Sequence, residues 1–159
     1  MREVLRRSEL FADLDDAALE RFEGIARPKA LRAEEYLFLL GDSADRLYVV
    51  TSGRLSTCLP LSLHGSMQDL TVESKVPGEA LGWSALVRPY RFTLSARATE
   101  PSEVVGFPRQ ELVRVLDEDQ RVGVLINRRI AEIIGHRLLK MQAMWGRELQ
   151  RAVADGLGA

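Results

Sequence analysis

The sequence predicts an α+β chain that is mainly β, an antiparallel β-barrel or sandwich entered through an N-terminal helical segment and left through a long C-terminal helix. Three observations predict this class. Between about Arg27 and Phe107, short apolar runs with β-branched or aromatic residues recur between the turn signals Gly41-Asp42, Ser52-Gly53, His64-Gly65-Ser66 and Pro77-Gly78, which is how short antiparallel strands are spaced. Beyond Pro108 the apolar residues switch to steps of three and four, the period of a helix. A length of 159 residues with 46% hydrophobic content supports one domain around a single core.

Taken in order, residues 1–26 form the helical segment and residues 27–108 the barrel, with Gly41, Gly53 and Gly65 supplying the positive-φ corners of tight turns. Residues 109–153 form the C-terminal helices. Pro108-Arg109-Gln110-Glu111 opens the first, with proline near its first turn, and a longer helix follows from about Asp119. Residues 154–159 form a tail, of which Gly156-Leu157-Gly158-Ala159 is expected to fray. In the long helix Ile130, Ile134, Leu138, Met141, Trp145 and Leu149 fall on one stripe, with Val122, Leu125, Ile126 and Ile133 as an adjoining patch. Its first half is therefore expected on the barrel and its second half on a partner helix, giving a symmetric homodimer. The alternative folds the whole helix back onto its own barrel. Its polar side carries Arg128, Arg129, Arg137, Lys140, Arg147 and Arg151 against Glu132 and Glu148, either a solvated face or a contact for nucleic acid, an acidic protein or lipid head groups.

Composition excludes several function classes. With 22 basic and 23 acidic residues the formal net charge is -1, so no global pull toward nucleic acid or anionic lipid is expected. Cys58 is the only cysteine, which excludes an intramolecular disulfide and reads as a small core residue. His64 and His136 are too few for a metal-dependent barrel enzyme, and no metal is expected. The chain has no G-x-S-x-G elbow, P-loop or dinucleotide fingerprint, so no catalytic residue is assigned. The N-terminus lacks the apolar region of a signal peptide, and Tyr36-Leu37-Phe38-Leu39-Leu40 is too short to span a bilayer. A cytoplasmic location is the expectation.

The segment Gly78-Glu79-Ala80-Leu81-Gly82-Trp83-Ser84-Ala85-Leu86-Val87, followed by Pro89-Tyr90-Arg91-Phe92-Thr93-Leu94-Ser95-Ala96-Arg97-Ala98, reads as a loop, one helical turn and a strand. It resembles the phosphate-binding cassette of cyclic nucleotide-binding domains, the sensor module of the catabolite activator/FNR superfamily, with its pattern F-G-E-[LIV]-A-L, a spacer and R-[ST]-A. Leu10-Phe11-Ala12-Asp13-Leu14 is similar to the family's N-terminal lead-in. The run from Gly41 to Gly53 is similar to its G-D-x-[AS]-[DE]-x-[LF]-Y-[IV]-[IV]-x-x-G hairpin. The resemblance spans Leu10 to about Leu116 and implies a jelly-roll barrel acting as a small-ligand sensor or regulatory module. The implied ligand is a cyclic nucleotide or another anionic small molecule.

The resemblance and the residues together give the candidate ligand site as Gly82, Trp83, Ser84, Ala85, Arg91, Phe92 and Thr93. Gly82 allows close backbone approach, and the amides of Trp83, Ser84 and Ala85 at a helix start favour an anion. Arg91 would supply a planar fork for a phosphate or carboxylate; its other reading is a surface ion pair with Glu79 or another acid. Two departures from the family bear on the ligand. Trp83 stands where the family has a glutamate that accepts from a ribose hydroxyl, and an indole only donates. Aligning Thr93-Leu94-Ser95-Ala96-Arg97-Ala98 with the family strand puts Phe92 at the arginine position and Arg91 one residue early, on the opposite face unless a bulge restores it. Two alternatives stand beside the sensor. One is a ligand-free interaction and dimerisation module whose pocket Trp83 plugs. The other is the sensor half of a longer transcription regulator, since family transcription factors append a helix-turn-helix domain after this helix. No direct nucleic-acid binding is expected from these residues.

Overall fold

A computed structural model describes residues 1–63 and 65–157, so the turn residue His64 and the last two residues lie outside it. Helices α1 (Arg2–Arg7) and α2 (Asp16–Ile25) precede eight strands: β1 (Arg27–Leu31), β2 (Tyr36–Phe38), β3 (Arg46–Ser52), β4 (Leu55–Leu63), β5 (Ser66–Lys75), β6 (Ala80–Leu81), β7 (Ser95–Ala98) and β8 (Ser102–Pro108). Helices α3 (Arg109–Glu118) and α4 (Gln120–Leu157) follow. The strands form two antiparallel sheets, ordered β1-β8-β3-β6 and β2-β7-β4-β5, the layers of a jelly roll. The turn glycines Gly41, Gly53 and Gly65 all take positive φ.

Strand β3 shows why the helices sit where they do. Leu47, Tyr48, Val49 and Val50 are consecutive and all buried, which an alternating strand cannot achieve unless both of its faces are covered. The far sheet covers one face. Helices α2 and α3, which contact the neighbouring β8, lie over the other, where Phe11 ahead of α2, Phe22 on α2 and Phe107 on β8 cluster with ring centroids 4.7–6.2 Å apart. Asp15 caps α2 by accepting from the Ala18 amide at 2.9 Å, a bond whose loss costs about 1 kcal/mol.

Helix α4 departs from expectation at the start of its stripe. Val122, Ile126, Ile130 and Ile133 are buried against the chain's own core. Ile130, expected toward a partner, is thus only 3% exposed, and Ile134 packs on the edge of the same cluster. Past Arg137 the helix leaves the barrel: Leu138, Met141 and Leu149 are exposed and Trp145 is 75% exposed. It stays helical to Leu157. Among the described residues, no helix is long and apolar enough to cross a membrane.

Candidate functional site

Strand β6 pairs with β3 through Tyr48↔Leu81 and Val49↔Ala80, and the chain must then turn within one residue. Gly82 makes that turn at φ 74°. A Cβ there would lie 3.0 Å from the Arg46 carbonyl and 3.0 Å from the Phe92 ring, so both the dihedral and the space call for glycine. Trp83–Ala85 form a single 3₁₀ turn. The Ala85 amide bonds the Gly82 carbonyl at 2.9 Å, so it is spent inside the turn and is not the free donor expected of it. Ser84 and Ala85 are buried and Trp83 half-buried.

The return loop separates the two residues that competed for the cationic role. Phe92 is held by its amide on the Asp42 carbonyl at 3.0 Å and by its carbonyl on the Gly41 amide at 2.9 Å. Its buried ring stacks on Phe38, with centroids 3.7 Å apart and planes 11° from parallel. Thr93 is exposed. No bulge brings Arg91 back toward the 3₁₀ turn. It faces the other side of the loop, bridged to Ser43, and its Nη1 donates to the Gly41 carbonyl at 2.8 Å. It does not pair with Glu79 either, whose Oε2 accepts from the Val76 amide at 2.8 Å.

The cation beside the 3₁₀ turn comes instead from α4. Arg137, expected on the polar side of the helix, is only 9% exposed, with its guanidinium carbon 5.7 Å from the Trp83 ring centroid. Its Nε and Nη2 donate to Glu73 Oε2 at 3.2 and 3.0 Å. Lys75 Nζ lies 3.6 Å and Lys140 Nζ 3.5 Å from the same carboxylate. Burial pushes the Glu73 carboxyl up, but Arg137, Lys75 and Lys140 outweigh it and hold the group below its ordinary value. The sequence did carry a signal for Arg137: the buried row Val122, Ile126, Ile130, Ile133 reaches position 137 at its next helical step.

Between the 3₁₀ turn, Phe38, Phe92 and Arg137 there remains a cavity of about 10 Å³. Thr57 Oγ1 and Trp83 Nε1, both at its walls, are buried without a hydrogen-bond partner. Catalytic chemistry finds little here. Cys58 is buried, and burial with the neighbouring Asp69 pushes its thiol up to about 11, far from a reactive thiolate. Among the described residues, no group of three or more His, Cys, Asp or Glu side chains is placed to hold a metal ion.

A family model for the cyclic nucleotide-binding domain matches residues 28–119. Among solved structures, a Geobacter metallireducens GS-15 protein classed as cyclic nucleotide-binding is 31% identical with a TM-score of 0.71, over 86% of this chain and 97% of that one. The N-terminal domain of a transcriptional regulator from Streptomyces coelicolor A3(2) is 28% identical with a TM-score of 0.69, over 87% and 94% of the two chains. Among curated relatives, an NTE family protein of Mycobacterium tuberculosis is 37% identical over 59 residues, 37% of this chain and 10% of that protein. The transcriptional activator protein Anr of Pseudomonas protegens is 28% identical over 69% of this chain and 51% of its own length. The chain thus spans from a tenth to about half of these two curated relatives.

Proposed function

Because the chain belongs to the cyclic nucleotide-binding domain family, we propose that it is a non-catalytic, cytoplasmic regulatory module whose nucleotide cassette is filled by its own side chains, and whose working surface is the exposed half of α4. One observation carries the reading. The cassette cavity measures about 10 Å³, room for about one water, whereas ligand sites take roughly 300 Å³ or more. The chemistry agrees with the volume: Trp83 offers a donor where a ribose hydroxyl needs an acceptor, and Phe92 offers a ring where a phosphate needs a cation. The second copy of the chain is the proposed occupant of α4. Leu138, Met141, Trp145 and Leu149 stand exposed on one helix, and a continuous apolar row of about 17 Å, at ~1.5 Å per residue, suits a parallel or antiparallel pairing with itself.

A second reading, a sensor for an anionic ligand of atypical specificity, draws on Thr57 Oγ1 and Trp83 Nε1. These are buried without partners at the cavity, and a polar ligand would satisfy such groups. Calorimetric titration with cyclic AMP and cyclic GMP separates the two. The first reading expects no saturable heat from the natural sequence and a gain in the Trp83→Glu/Phe92→Arg variant. Micromolar binding by the natural sequence would overturn it in favour of the second.

A further inference from the structure

The loop that turns Phe92 inward turns Arg91 outward, and there a groove of about 550 Å³ opens, walled by the turn Ser43–Arg46, the loop Pro89–Arg91 and the start of α3 at Pro108–Glu111. That volume lies within the range of small-molecule sites, roughly 300–1,000 Å³. Arg46, Arg91 and Arg109 line it, and none of them forms an ion pair among the described residues, whereas Arg27, Arg121 and Arg129 elsewhere on the surface each meet a carboxylate. Two carboxylates share the groove. Glu111 is already paired with Arg27 at 3.0 Å, which leaves Asp45 alone against the three guanidiniums.

The walls are tied together before any ligand arrives. The Arg109 amide donates to the Asp45 carbonyl at 2.8 Å, the Ala44 amide donates to the Tyr90 carbonyl at 2.8 Å, and Ser43 bridges Arg91. Arg109 lies over the Tyr90 ring at 4.1 Å, which fixes the plane of its guanidinium while leaving the N–H edge available. Arg91 commits one nitrogen to the Gly41 carbonyl and retains the rest of its fork. The guanidiniums of Arg91 and Arg109, each held in place and neither paired with a carboxylate, lie in one preformed groove with Arg46 beside them, and such forks match the geometry of oxyanions. We propose that this groove binds a small polyanion, a molecule carrying two or more phosphate or carboxylate groups, with Arg46, Arg91 and Arg109 as its cationic contacts. The groove lies on the other side of the loop from the cassette, and the proposal does not require the cassette to be closed.

The test is calorimetry on the full chain at low ionic strength, with inorganic pyrophosphate in one arm and citrate in the other. One saturable site of sub-millimolar affinity is expected, weakened about tenfold or more by Arg91→Gln and by Arg109→Gln, and unchanged by Arg32→Gln or Trp83→Glu. The arm that binds more tightly assigns phosphate or carboxylate. A measurement that needs no variant, amide chemical-shift mapping on the natural sequence, should move Ser43, Tyr90 and Gln110. Absence of saturable binding in both arms, an equal loss in Arg32→Gln, or shifts centred on Trp83–Ala85 would overturn the proposal.

Discussion

Replacing Glu73 with glutamine removes the one negative charge at a point where three cations converge. Glu73 is 8% exposed and accepts two bonds from Arg137, with Lys75 and Lys140 within 3.6 Å. Breaking a buried ion pair from one side costs about 3–5 kcal/mol, because the partner charge stays buried. Two features pull toward the low end. Lys140 is 64% exposed, so its share is screened by water, and glutamine keeps a carbonyl acceptor for Arg137. A loss of about 3 kcal/mol follows, which for a chain of this size lowers the melting temperature by roughly 6–12 °C. Urea unfolding measures the free energy directly, and Trp145→Phe as background leaves Trp83 as the sole indole reporter. The double variant Glu73→Gln/Arg137→Met should lose less than the sum of the single losses, since the unpaired guanidinium is then gone. A single-variant loss below about 1 kcal/mol, or strict additivity, would refute the claim that this carboxylate anchors α4 to the barrel.

The same carboxylate sets an acid limit. Its folded-state value lies below the ordinary 4.5, so its contribution is complete above that pH and is lost as pH falls through the folded value; stability curves of the natural and Glu73→Gln chains should converge in acid, and curves that stay parallel until the chain unfolds in acid would contradict the assignment. Gly53→Ala forces a side chain onto φ 76° with its Cβ 2.4 Å from Ser102 Oγ and 2.6 Å from the Pro101 carbonyl. A loss of at least about 2 kcal/mol is expected in thermal melts, and an unchanged melt would show that the turn can relax. Trp145→Glu places a charge in the exposed row of α4. Sedimentation should then report monomer where the natural chain is dimeric, and a natural chain already monomeric at micromolar concentration ends the dimer reading.

The barrel and the long helix were legible because their signals are local. The turn glycines and the change of apolar period mark them within a few residues. The parity argument at the return loop also held in its geometry, since a one-residue offset does put Phe92 inside and Arg91 outside. Ile130 was misplaced because a stripe read from one helix shows which residues share a face, not where the barrel beneath that face ends. Arg137 was missed for a related reason. Helical period put it on the buried row, but a buried arginine makes sense only once Glu73, on a strand distant in sequence, is known to meet it. The narrow cassette cavity was legible only in part: Trp83 stood out as a plug, but Phe38, Phe92 and Arg137 meet it there from three other elements.

The proposed closure has two separable layers, and they predict different rescues. One is chemical: Trp83 and Phe92 lack the acceptor and cation a cyclic nucleotide would need. The other is conformational, with Arg137 held over Trp83 by Glu73. If releasing that clamp costs about 3 kcal/mol, an open cassette is populated in roughly one molecule in a hundred, and any ligand admitted there binds about a hundredfold more weakly than its intrinsic affinity. Glu73→Gln therefore opens the cassette without teaching it to recognise a nucleotide, while Trp83→Glu/Phe92→Arg supplies recognition behind a clamp that still favours the closed state. Only the triple variant should bind with full affinity, and its gain over the double variant measures the clamp. Equal affinities in the two would place the whole barrier in the aromatic residues and leave Arg137 as a structural contact alone.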